Sequence, residues 1–150
     1  MSYWKTLLLI GSLCLLAACG KMGPAPVDAR DLPPFAEGAL CAWHTGDPEA
    51  GREIFERPVL AGTGGCTTCH SLEPNVRLVG PSLYGVAATA SARHESITPP
   101  NYLYLSIMAP NQFVVDGFPA GIMPDNYATE LSEEEVTNLV TFLMTQNPVE

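Results

Sequence analysis

The feature that most constrains this chain is a five-residue run, Cys66-Thr67-Thr68-Cys69-His70. Two thiols three positions apart, followed at once by an imidazole, form the attachment pattern for c-type haem. The spacing lets both sulfurs reach the two vinyl groups of one porphyrin while His70 projects its imidazole at the iron. Two other chemistries use a C-x-x-C pair. A redox dithiol of the thioredoxin type belongs in a βαβ setting and a zinc site needs a second pair of ligands; neither is visible along the chain. A single motif implies one covalent haem c, so the fold has to wrap a large, flat, apolar group.

The N-terminal third reads differently. Met1 to Lys5 is a short positive start, and Thr6 to Ala18 is uncharged and almost wholly apolar. That stretch has signal-peptide length and falls short of the roughly 20 residues a spanning helix needs. Residues 1–18 are therefore expected to be a lipoprotein signal peptide. The run Leu16-Ala17-Ala18-Cys19 resembles a lipobox, which implies that Cys19 is lipidated and becomes the mature N-terminus. An ordinary secretory signal cut nearby and an uncleaved anchor are the alternatives.

Residues 19–43 follow as a lipidated N-terminus and tether containing Pro24, Pro26, Pro33 and Pro34. At about 3.1 Å per residue in a polyproline-like state, some twenty residues reach roughly 60 Å from a membrane. Cys41 has no assigned role, and Trp43 and His44 read as a packed lead-in. Residues 44–150 remain for one mono-haem domain. The net charge of −9 argues against a nucleic-acid partner, and 47% hydrophobic residues support a buried core.

The domain reads as all-α. Asp47 suits an N-cap and Pro48 the first helical position, with Glu49 and Glu53 near the positive helix end and Ala50, Ile54 and Phe55 on one face. Tyr102 to Ala109 is a short apolar helix. Ser132-Glu133-Glu134-Glu135 forms a capping box before the stripe Val136, Leu139, Val140 and Leu143, and Asn147-Pro148 stops that helix.

Candidates for a second iron ligand are Met22, Met108, Met123, Met144, His44 and His94. Met22 is in the tether, and Met108 and Met144 lie on helices where methionine commonly fills packing gaps. Met123 sits in the turn-rich loop Phe118-Pro119-Ala120-Gly121-Ile122-Met123-Pro124, where backbone can wrap a haem face. It is the favoured ligand, with His94 the main alternative. Tyr102, Tyr104 and Phe113 suit either a haem pocket or an ordinary aromatic core.

From Gly46 to Asn147 the sequence resembles the class I mono-haem cytochromes c. The resemblance rests on the stretch Gly46 to Phe55, the haem motif, Gly80-Pro81-Ser82-Leu83-Tyr84-Gly85 and the loop around Met123. It implies a small helical domain wrapped around one covalent haem, with the first and last helices crossing. It further implies that the Pro81 carbonyl accepts a hydrogen bond from the His70 imidazole, and that His70 and Met123 are the axial ligands. The implied activity is one-electron transfer without substrate chemistry. A haem enzyme or gas sensor with a displaceable Met123 is the competing class.

The stretch from Asn101-Tyr102 to Asn126-Tyr127 is similar to cytochrome segments of respiratory membrane complexes, such as cytochrome c oxidase subunits and the mono-haem lipoprotein subunit of alternative complex III. That similarity implies a lipid-anchored subunit on the outer face of the membrane, with other redox proteins as partners. A free-standing periplasmic carrier is the alternative.

Overall fold

A computed structural model describes residues 46–94 and 97–148. The expectations for Cys19, the tether, Cys41, Trp43 and His44 lie outside the described residues.

Helix α1 spans Pro48–Phe55. Its cap is the one the sequence suggests: the Asp47 carboxylate accepts from the backbone N–H of Glu49 at 2.8 Å and of Ala50 at 3.3 Å. A two-residue antiparallel hairpin follows, β1 (Val59–Leu60) pairing with β2 (Thr63–Gly64). Its turn holds Ala61 and Gly62 at positive φ, the backbone twist a tight hairpin needs. Strands of two residues are too short to show alternation, so nothing in the sequence pattern announces them. The remaining helices are α2 (Cys66–Cys69), α3 (Val86–Arg93), α4 (Pro99–Met108), α5 (Tyr127–Glu130) and α6 (Glu133–Met144).

α4 starts three residues before the expected Tyr102, because Pro99 and Pro100 occupy the first turn, where a missing N–H costs nothing. It is buried around most of its circumference: Tyr102, Leu103, Tyr104, Leu105, Ile107 and Met108 are all in the core. α6 opens with the capping box, Ser132 Oγ accepting from the Glu135 N–H and the Glu135 carboxylate accepting from the Ser132 N–H. Its stripe Val136, Leu139, Val140 and Leu143 is buried, joined by Phe142. No helix among the described residues is long and apolar enough to cross a membrane.

The most extensive packing is between α1 and α6. Phe55 and Phe142 meet at 5.4 Å between ring centroids, and the Asp47 N–H donates to Asn138 Oδ1 at 2.7 Å. The buried face of α1 is Gly51, Ile54 and Phe55, whereas Ala50, expected on that face, is only half-buried. A Cβ at Gly51 would run into the Asn138 carbonyl and the Phe142 Cβ. Glycine is what lets the two helices come this close.

Candidate functional site

The helices leave an apolar cavity of about 290 Å³. Phe55, Leu103, Leu139 and Leu143, themselves part of the core, form its inner wall. The walls on either side come from irregular segments.

The first begins with α2. Gly65 starts this single turn, and a Cβ there would strike the Arg57 carbonyl, so the hairpin must feed the turn through glycine. The His70 N–H closes the turn on the Cys66 carbonyl at 2.9 Å. One turn sets residues three apart on the same side. Accordingly Cys66 and Cys69 both line the cavity, and both are free thiols. Burial pushes the Cys66 thiol up to about 11, with the neighbouring Cys69 adding to the rise against an opposing backbone hydrogen bond. A reactive dithiol needs the reverse, a depressed pKa. Among the described residues no group of three or more His, Cys, Asp or Glu side chains is arranged to hold a metal ion.

His70 leaves the turn in extended conformation and its ring also lines the cavity. Its Nδ1 lies 2.8 Å from the Pro81 carbonyl. A carbonyl can only accept, so Nδ1 carries the proton and Nε2 keeps its lone pair. Burial holds the imidazole below its ordinary pKa; the Pro81 bond works against this, and the charge of Arg93 works with it. Neutral imidazole is the form that binds a metal. Gly80 makes room for the ring, since a Cβ there would run into Cε1 of His70.

A second part of the wall comes from the loop of residues 110–124. Met123 is half-buried, packs on the core and lines the cavity. Gly117 and Gly121 take positive φ as the chain turns. Asn111 Oδ1 accepts from the Gly121 N–H at 2.7 Å, and Asn126 Nδ2 donates to the Ala61 carbonyl at 2.8 Å. The other candidates fall elsewhere. Met108 is buried in α4 and Met144 is half-buried at the end of α6, neither on the cavity wall. His94 caps α3 with its ring edge-on to Phe113 at 4.7 Å, and it does not line the cavity either. Of the three aromatics, Tyr102 and Phe113 line it and Tyr104 does not.

Several residues of the site carry no sequence signal. Arg93 lines the cavity from the end of α3, and Asn111 and Asn126 tie down the Met123 loop. Each acts through backbone or cavity contacts formed by distant segments, which spacing along the chain does not encode.

Two free thiols on one turn, an imidazole with Nε2 free, a thioether and apolar walls form a donor set that fits a covalently attached haem. The family model for cytochrome c matches residues 48–147. No curated protein matches the chain. Proteins of that family bind haem c covalently, and the helical architecture described above agrees with the class I fold. The matched segment runs from the first residue of α1 to beyond α6 and takes in every donor on the cavity wall: the chain belongs to the cytochrome c family.

Proposed function

We propose that this chain is a membrane-tethered, mono-haem electron carrier in which Cys66 and Cys69 hold the haem as thioethers and His70 and Met123 are its axial ligands. One observation carries the mono-haem part of the reading: the two thiols, the imidazole and the thioether all line a single apolar cavity. The haem, when bound, supplies a one-electron couple at its iron. The chain's own residues set the conditions for it. The Pro81 carbonyl accepts the Nδ1 proton of His70 and so leaves the Nε2 lone pair free for a metal. The Met123 thioether, softer than imidazole, would favour ferrous iron and raise the reduction potential of a haem held there. Phe55, Leu139 and Leu143 keep water from the inner wall.

A haem held by both His70 and Met123 would leave no position at its iron for a substrate, and this is the basis for a carrier rather than an enzyme. Val79 and Ile122 line the cavity yet are 54% and 53% exposed, which makes an apolar rim where another redox protein can approach. Residues 19–43, lipidated at Cys19, hold the domain to the outer face of the membrane. The partners are redox proteins of a quinol-oxidising or oxidase-linked complex.

Redox titration with absorption spectra tests the core of this reading. A positive potential and a sulfur-to-iron charge-transfer band are expected, and a five-coordinate ferric spectrum would overturn it. Mass spectrometry of the native protein checks the tether, which an unmodified Cys19 would refute. Blue-native electrophoresis of membranes with haem staining checks the complex; migration only as a free small protein would count against a subunit role.

A further inference from the structure

Arg77 is an exposed residue that no motif accounts for. It belongs to the segment that follows His70, yet its side chain engages the loop that carries Met123. Nη2 donates to the Gly117 carbonyl at 2.7 Å, and the guanidinium carbon stands 4.1 Å from the centroid of the Phe118 ring. One planar group thus makes two unlike contacts with consecutive residues, a hydrogen bond at its edge and a stack on its face. Gly117 turns the chain at φ +83, and the Phe118 N–H closes that turn on the Val115 carbonyl at 3.1 Å. From Phe118 onward every residue to Pro124 lines the cavity, Met123 included.

The other ties on this loop differ in kind. Asn111 holds Gly121 from within the loop, and Asn126 fixes its far end to the hairpin turn. Among the described residues, Arg77 is the side chain whose hydrogen bond joins the segment after His70 to the Met123 loop. A loop with little regular hydrogen bonding opens at low free-energy cost, so a few side-chain contacts decide how often it does.

We propose that Arg77 is a latch on this loop: a positioning residue that, through Gly117 and Phe118, sets how readily Met123 leaves the iron and hence how closed the protein is to small ligands. The proposal rests on Met123 being the axial ligand. The plane matters more than the charge, because lysine keeps the charge but cannot stack and donate from one rigid fork.

Carbon monoxide binding to the reduced, full-length holoprotein is the test, since the ligand enters only when Met123 has left. Arg77→Ala is expected to speed binding by about five- to seventyfold, the range set by an exposed cation–π contact plus an exposed hydrogen bond of ordinary net strength. Arg77→Lys is expected to show most of the same increase, and it carries the test if the alanine variant does not accumulate. Phe118→Leu should act in the same direction, and combining it with Arg77→Ala should add little, as both remove one contact. In the ferric state the sulfur-to-iron band should weaken while far-ultraviolet circular dichroism stays unchanged. Met123→Ala separates the two levels of the argument. If it binds carbon monoxide no faster than the parent, Met123 is not the ligand and the latch falls with it. If it binds fast while the Arg77 variants bind at the parent rate, the latch alone is wrong.

Discussion

The crossing of α1 and α6 and the loop that carries Met123 are built on opposite terms. At the crossing, two capped helices press together through Gly51, with Phe55 on Phe142 and a part-buried hydrogen bond from Asp47 to Asn138. The loop is irregular backbone pinned by a few side chains, two of them through solvent-exposed hydrogen bonds. Fully burying a large apolar side chain stabilises by roughly 1.5–3 kcal/mol, whereas surface contacts contribute a fraction of that. The lesson is a division of labour. The crossing holds the domain together, and the loop is left loose enough that its position is tuned locally.

The sharpest way to break this contrast is Gly51→Ala. In an ordinary helix alanine stabilises over glycine, by about 0.5–1 kcal/mol. Here the added methyl meets the Asn138 carbonyl, so a loss of about 3 kcal/mol is expected in urea unfolding. A gain in stability would mean the crossing is less tight than described. Asn138→Ala should come next, at about 1–2 kcal/mol by the same measurement, because it removes the acceptor of the Asp47 N–H between the helices.

Glu135 lies at the edge of the crossing, where its carboxylate closes the capping box and pairs with Arg57 at 2.9 Å. The Arg57 hydrogen bond, followed by that from Ser132, holds it below the ordinary glutamate pKa. A carboxylate with a lowered folded pKa stabilises fully above its unfolded value, near about 4.3, and that contribution fades as pH falls through the folded value. Glu135→Gln should therefore cost about 0.5–1 kcal/mol at neutral pH, with the difference from the parent closing in strongly acidic solution. A difference that persists there would place the effect in packing rather than charge. The smallest change in global stability is expected from Asn111→Ala, within about 0.5 kcal/mol. It frees the Gly121 N–H in the loop, so the sulfur-to-iron band should weaken although the unfolding midpoint hardly moves. A large shift in that midpoint would erase the distinction between the two regions.

What could be read from the sequence follows the same line. Asp47 and Ser132 announce their helices because a cap and its N–H groups lie within three residues of each other. Cys66, Cys69 and His70 are legible for the same reason, and Pro81 and Met123 through family motifs. The buried face of α1 was legible only in part: Ile54 and Phe55 lie on it as expected, but Gly51 was missed, since periodicity ranks hydrophobicity and glycine has no side chain to rank. Its importance depends on a carbonyl supplied by α6. The hairpin, the three extra residues of α4 and the side-chain ties on the loop were hidden likewise. Arg77 touches Gly117 forty positions away, and no local pattern distinguishes it from any other exposed arginine.

The pairing of the first and last helices also carries a cost of closure. The bond from Asp47 to Asn138 joins residues 91 positions apart. Closing a loop of that length costs about 4 kcal/mol in chain entropy before any contact is made. Leu139 and Leu143 of α6 stand on the same cavity wall as Cys66 and Cys69, so the contact between the two chain ends also completes the wall that faces the two thiols.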